Sequence, residues 1–395
     1  MSDRDVSRVV KNQAMPQERH LKQAFELCVR KTRTNIKRLA DHPKAYGWAV
    51  DGNYSSFPDA FFYIWNWTSS FFTGMALLAW SETGDDYFLK QVQRLAPFYH
   101  DKVFKHYMDT MHDLGFLYSL YSVALYRLTG EKAHRETGLR AADVLAKRFV
   151  PNGAYIRAWG RMDDPDPFTA GMMIIDCLMN LPLLYWASVE TGNGDYRDIA
   201  TRHADTALQY LVRSDDTVYH AYRFDVATGK PLRADTYGGC TVESHWARGT
   251  AWAIYGFALS YNYTRDPRHL DASLRLARKF IANLDDEVVP VWDFRLPAGA
   301  PILRDASAAS ISVCGLQELL KYEPDNTLIS SAAQRLLARL CSGDYLDFNE
   351  ACPGVQKRGM VGDGAGMAKN AYTSWGDYFL MEALARSLGA NGMFW

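Results

Sequence analysis

The sequence predicts an all-α protein, an (α/α)6 barrel in which six helix hairpins close into a toroid. Two observations predict it. A unit of apolar helix, tight turn and amphipathic helix recurs along the chain, and the helices left over at its two ends supply a sixth pair. Composition agrees: 395 residues, 48% hydrophobic and 23% charged, are those of an ordinary globular protein. A chain of this length buries on the order of three quarters of its unfolded surface, so no disulfide or metal staple is required.

The first unit is SSFFTGMALLAWSETGDDYFLKQVQRLAPFY, turning at Thr83-Gly84. The second is DLGFLYSLYSVALYRLTGEKAHRETGLRAADVLAKRFV, turning at Thr129-Gly130. The third is AGMMIIDCLMNLPLLYWASVETGNGDYRDIATRHADTALQYLV, turning at Thr191-Gly192. Weaker copies are WARGTAWAIYGFALSYNYTRDPRHLDASLRLARKFIANL and SAASISVCGLQELLKYEPDNTLISSAAQRLLARL. In each, the first helix is apolar nearly all round and so is buried on most faces, while the second carries charges opposite an apolar stripe. One helix per unit therefore faces a shared interior and the other faces solvent. Gly ends the first helix and an Asp-type residue caps the second, as tight helix hairpins require. Helices over 17–41 and 375–388 close the ring as the sixth pair.

The expected organisation is a single catalytic domain over residues 1–395, with 1–16 a flexible N-terminal arm. The non-helical segments 44–67, 150–169, 213–244, 285–305 and 345–374 each join an outer helix to the next inner one. They gather at one end of the barrel, and loops on one face of a rigid scaffold are where function collects.

Charge and cysteine usage exclude several classes of function. Lys+Arg 44 against Asp+Glu 45 leaves a net charge of −1, with no basic surplus for nucleic acid. No run of about 18 apolar residues predicts a membrane span, and the polar start MSDRDVSRVVKNQ is not a signal peptide. The six cysteines form no CxxC pair and no HExxH stands in the chain, so no metal and no cofactor are expected. A cytoplasmic protein, monomeric or homodimeric, is the expectation. No GxSxG elbow, P-loop or dinucleotide fingerprint is present. The aromatic content is high, with 11 Trp, 23 Tyr and 19 Phe, and several stand among polar residues, such as Trp67 in IWNWTSS and Trp159 in YIRAWGR. Flat faces beside hydrogen-bonding groups suit sugar rings, and core packing is the alternative.

Two carboxylates stand out. Asp176 sits inside the apolar run GMMIIDCLMNLPLL, assigned to an inner helix. Desolvation there raises its pKa and lets it carry a proton near neutral pH, unless it serves as a buried structural tie. Asp113 follows His112 at the head of LGFLYSLYSVALY and is either a helix N-cap or a second acid at the same mouth. Trp246, Arg248 and Trp252 in WARGTAW project near that mouth. Arg248 is either a fork for a carboxylate-bearing sugar or the partner of a structural Asp. His220 and His245 precede this helix, as binding or structural residues.

At HDLGF (112–116), IDCLMNLPLL (175–184), WARGTAWAIYGF (246–257) and WGDYFLMEAL (375–384), the sequence resembles the unsaturated glucuronyl hydrolases, glycoside hydrolase family 88. The resemblance runs from about residue 66 to the C-terminus, with Asp176 following Asp113 by 63 residues. It implies an (α/α)6 barrel that removes a 4,5-unsaturated uronic acid from the non-reducing end of small lyase-generated oligosaccharides. The vinyl ether is protonated at C4 and water adds at C5, unlike attack at the anomeric carbon. By this match Asp176 is the general acid and base and Asp113 assists. Trp67 and Trp159 match positions that stack on sugar, and His112, His220, Trp246, Arg248 and Trp252 match positions that bind the unsaturated ring.

The chain departs from the family pattern at Gly238-Gly239, where a Gln-Gly pair is usual, and at Thr250, where Gln is usual. It departs again at Asn370-Ala371, where an acidic pair is usual. The alternatives are the related unsaturated rhamnogalacturonyl hydrolases, and a sugar-binding or epimerase toroid in which His112, His220 and His245 replace Asp176 as the key groups.

Overall fold

The structure is a computed structural model that describes residues 16–39, 47–54, 61–166, 168–362, 367–390 and 393–395. Its helices are α1 (Pro16–Leu39), α2 (Ser69–Thr83), α3 (Asp86–Gln93), α4 (Ala96–Phe104), α5 (Leu114–Tyr118), α6 (Ala124–Thr129), α7 (Lys132–Ala146), α8 (Leu181–Thr191) and α9 (Gly194–Tyr210). They continue as α10 (Ala247–Thr264), α11 (Pro267–Ala282), α12 (Ala306–Leu319), α13 (Thr327–Leu340) and α14 (Ser374–Ser387). A π-helical turn, Ser119–Val123, joins α5 to α6. Among the described residues no helix is long and apolar enough to cross a membrane.

Helices α2, α5–α6, α8, α10, α12 and α14 form the inner ring, each packed on the next, and α14 closes against α2. Helices α3–α4, α7, α9, α11 and α13 return along the outside, and α1 packs on both α2 and α14 to complete the sixth pair. The inner helices are buried almost throughout: every residue of α12 except one is buried. The outer helix of the first unit is split into α3 and α4, the latter carrying Pro97 in its first turn, where the missing N–H costs nothing. The arm expected over 1–16 lies outside the described residues except for Pro16, the first residue of α1.

The Thr-Gly turns work by one repeated device. Thr83, Thr129, Thr191 and Thr264 each donate their hydroxyl to the carbonyl four residues back and accept the N–H two residues on. Gly84, Gly130 and Gly192 then adopt left-handed φ of 69°, 74° and 74°. The fourth hairpin places Arg265 there instead, at 59°. Asp85, Asn193 and Asp266 cap the helices that follow.

The connectors from outer to inner helices are linked to one another around one end of the ring. Short strands β1 (Trp48–Ala49) and β7 (Tyr372–Thr373) pair the first connector with the last. Buried Lys102 donates to Phe61 O and Asp109 O, joining the first to the second. His112 N donates to Ala158 O, which stands just past the hairpin of β2 (Phe149–Val150) and β3 (Tyr155–Ile156). Next comes a three-stranded sheet, β4 (Met172–Ile174), β5 (Ala221–Phe224) and β6 (Pro231–Asp235). Asp293 then receives the N–H groups of Cys240 and His245, and Ala306 N reaches Arg358 O.

One expectation is corrected. Asp176 does not lie within an inner helix. The chain runs from β4 into a 3-10 turn, Ile175–Met179, and α8 begins at Leu181 with Pro182 in its first turn. Strand pairing to β5 extends the apolar run as far as Ile174, and Pro182 marks where the helix can start.

Candidate active site

Asp176 stands in the first position after Ile175, whose N–H donates to His220 O. The sheet edge and the 3-10 turn thereby aim its carboxyl inward at the connector end of the ring. Asp113 stands at the N-cap of α5, next in the ring, with no hydrogen bond from its side chain to the helix. Asp113 is buried, and Asp176 is half-buried with its Oδ1 sealed from solvent. Burial lifts the Asp176 carboxyl to about 7, opposed by the charge of Arg248. Burial lifts Asp113 to about 8, reinforced by the charge of Asp176 and opposed by Arg148. Two such carboxyls titrate as a pair and share a proton around neutral pH.

The remaining expected residues surround this pair. The His112 Nε2 lies 3.5 Å from the Asp113 carboxylate, and burial with the nearby Arg148 charge keeps the ring neutral. His220 Nδ1 accepts the N–H of Tyr237 (2.8 Å) and of Gly238 (2.9 Å), which puts its own proton on Nε2. Burial pushes this imidazole down to about 3, so it stays neutral. Trp246 packs edge-on to His220 at 4.7 Å, between Gly238 and Gly249. A Cβ at Gly238 would fall 2.8 Å from the indole, so the glycine makes room for the ring. Trp67 stacks at 4.8 Å on Trp375, and Arg248 lies over both Trp246 and Trp375.

Arg248 is committed within the protein. It pairs with buried Asp305 at 2.6 Å and donates to the carbonyls of Met360 and Val361. The structural-partner alternative holds for its guanidinium contacts, while its charge still reaches Asp176. Trp252 is fully buried against Phe116 and Phe379, beneath the mouth. Trp159 stands at the rim, at 5.4 Å from Trp65, 4.9 Å from Tyr237 and 6.5 Å from Phe168. Trp65 and Phe168 are 41% and 49% exposed, which makes this a solvent-facing aromatic wall. His245 is not brought to the acids: it packs on Phe294, with Arg295 and Arg213 as its charged neighbours.

Four buried polar atoms here have no partner within the protein: Asp176 Oδ1, His112 Nδ1, Trp246 Nε1 and Trp252 Nε1. Buried polar groups are nearly always paired, so this grouping marks where a polar ligand fits. Among the described residues, neither an acid cluster nor a histidine set at the mouth has metal-ligand geometry. The one group of described residues close enough to hold a metal, Asp205, Asp266 and His269, lies on outer helices and already pairs with Arg268.

Three residues escape a sequence reading. Fully buried Arg148 donates to the carbonyls of Thr110, Arg157, Ala158, Trp159 and Gly160, fastening the segment that carries Trp159 beside that of Asp113. Trp375 donates from its indole to Ser307 and forms the platform under Trp67 and Arg248. Asn180 bridges the two acid-bearing segments. Their partners are 4 to 308 residues distant, and the one local signal is a polar residue within an apolar run.

Comparison with known proteins agrees with this geometry. Residues 50–291 match the family model of Glycosyl Hydrolase Family 88. The unsaturated glucuronyl hydrolase of Bacillus sp. (strain GL1) is 36% identical over 325 residues, covering 81% of this chain and 86% of that protein. The unsaturated chondroitin disaccharide hydrolase of Streptococcus pyogenes serotype M1 is 32% identical over 395 residues, covering 98% and 96%. The crystal structure of the Bacillus sp. GL1 enzyme superposes with a TM-score of 0.86 at 34% identity, over 95% of this chain and 99% of that one. The family match spans both acids, and the fold likeness spans nearly the whole ring: the chain belongs to Glycosyl Hydrolase Family 88.

Proposed function

We propose that this glycoside hydrolase removes a 4,5-unsaturated uronic acid from the non-reducing end of small oligosaccharides left by a polysaccharide lyase. The whole ring of hairpins serves as one catalytic domain. The observation that carries the reading is Asp176: a half-buried residue whose carboxyl is lifted to about 7 by desolvation, with one oxygen sealed from solvent and unpartnered and a second acid coupled to it. A group of that pKa holds a proton at neutral pH and can release it to substrate.

Asp176 delivers its proton to C4 of the vinyl ether, and the electron pair of the double bond forms the new C–H bond. Cationic character left at C5 is met by water, whose proton returns to Asp176. The hemiketal so formed opens, releasing the neighbouring sugar and an open-chain keto acid. Asp113, the more strongly raised of the two, holds the uronate hydroxyls and is coupled to Asp176 through charge. His112, His220 and Trp246 offer hydrogen bonds to the unsaturated ring, and Trp67 and Trp159 offer stacking faces. Arg248 contributes positive charge toward the uronate while remaining tied to Asp305. Six free cysteines fit a reducing cytoplasmic location.

The test is loss of the ultraviolet absorbance of the conjugated double bond, with unsaturated disaccharides from chondroitin, hyaluronan, heparin, gellan and pectin. Decay that Asp176→Asn abolishes supports the reading and names the substrate branch. Decay on pectin fragments alone would assign the rhamnogalacturonyl alternative, and no decay on any would refute hydrolysis.

A further inference from the structure

Asp113 occupies a helix N-cap, where an aspartate ordinarily accepts the N–H of the second or third helical residue. Its side chain makes no such bond. The N–H in question, that of Phe116, donates instead to Oδ1 of Asn180 at 2.8 Å. Asn180 is fully buried and belongs to the neighbouring unit, as the joint between the 3-10 turn and α8. Its Nδ2 donates to the main-chain carbonyl of Asp176 at 3.3 Å. One amide therefore caps the helix of one acid and holds the backbone of the other. Gly115 allows the approach: a Cβ there would lie 2.3 Å from Asn180 Cα and 2.6 Å from its carbonyl oxygen, both main-chain atoms that cannot turn aside.

We propose that Asn180 is a positioning residue that caps α5 in place of Asp113, leaving the Asp113 carboxylate free to face Asp176 at a fixed separation. The inference rests on the roles given above to the two acids. An aspartate that capped its own helix would be anchored by a main-chain N–H and stabilised as the anion, withdrawn from the pair. With Asn180 supplying the acceptor, nothing on α5 holds the carboxylate there. The charged and titratable groups facing the pair are then His112, Arg148 and Cys177 at Asp113, and Arg248 at Asp176, with His203 and His220 beyond His112.

Asn180→Ala removes the acceptor, and Asp113 is expected to turn and take the Phe116 N–H. In a crystal structure its carboxylate should lie within hydrogen-bond distance of that nitrogen. Turnover should fall ~100-fold with KM little changed, since misplacing a reacting group by about 1 Å has that effect. The alkaline limb of the pH profile should move to lower pH, because an Asp113 carboxylate bonded to a main-chain N–H is stabilised as the anion and the pair gives up its proton earlier. Asp113→Asn should cost little more in the Asn180→Ala background than Asn180→Ala alone. Asn180→Asp keeps the acceptor but loses the Nδ2 donor to the Asp176 carbonyl, so Asp113 should stay in place in its crystal structure whatever the effect on turnover. An Asp113 that stays put in Asn180→Ala, an unmoved pH limb, or an Asp113 that turns to the Phe116 N–H in Asn180→Asp as it does in Asn180→Ala would each overturn the proposal. The rotation is read without any assay of turnover, so its failure is distinct from a wild-type protein that hydrolyses no unsaturated disaccharide.

Discussion

Replacing Asp176 by Asn should stabilise the protein, and do so more at pH 8 than at pH 5. The carboxyl is 3.8 in its ordinary state and about 7 when buried here. A group whose folded-state pKa is raised binds more protons folded than unfolded, so stability falls as pH rises between the two values. Above both, the ionised carboxylate costs the fold about 4 kcal/mol, from roughly three pK units at 1.36 kcal/mol each. At pH 5, still below the folded value, the cost is about 1–2 kcal/mol by the same linkage. Asparagine fills the same volume without a charge. The gain in unfolding free energy for Asp176→Asn should therefore grow by about 3 kcal/mol from pH 5 to pH 8. Chemical denaturation of both proteins at the two pH values measures it directly. Equal shifts at both pH values, or a loss of stability at pH 8, would falsify the assignment of Asp176 as a carboxyl held above its ordinary range.

Turnover should decline as pH rises through about 7, because the protonated member of the pair is the reactive form; a rate profile flat from pH 5 to 8 contradicts this. Arg148→Met removes five hydrogen bonds to main-chain carbonyls and should lower unfolding free energy by at least ~3 kcal/mol, while raising KM through displacement of Trp159. Gly238→Ala drives a methyl to 2.8 Å from the Trp246 ring, and kcat/KM should fall ~10-fold or more as the indole shifts. Activity should survive a chelator, and its loss on EDTA treatment would contradict proton transfer by the acid pair alone.

The ring of hairpins was legible because its signals are local. A threonine that bonds back four residues and forward two, then a glycine in the left-handed region, ends an inner helix wherever it recurs. The two acids were legible because charge inside an apolar run is conspicuous. Asp176 was nevertheless placed on a helix, since GMMIID carries no period to separate helix from strand and its partner strand β5 lies far along the chain. Arg248 shows the same limit. Whether it forks onto ligand or onto a structural carboxylate depends on Asp305, 57 residues away, and on the carbonyls of Met360 and Val361 beyond that. The Asn370-Ala371 departure acquires meaning from those contacts: Ala371 pairs with Gly359 and thereby positions the two carbonyls, with Asn370 in the left-handed region at φ 52°.

The destabilised acids also explain the investment around them. Each carboxyl resists burial, so neither segment would approach the other without external restraint. The restraints are directed at the main chain: Asn180 between α5 and the Asp176 turn, Arg148 on five carbonyls, and the strand pair that hands Ile175 to His220. A lysine or arginine placed directly on either acid would achieve proximity at lower cost, but it would hold that acid ionised and leave no proton to give. Arg248 is kept from doing so by Asp305, which takes the guanidinium at 2.6 Å and leaves Asp176 with its charge but not its hydrogen bond. The ring thus fixes two acids by their backbones and leaves their carboxyls free, which is the condition for one of them to carry a proton at neutral pH.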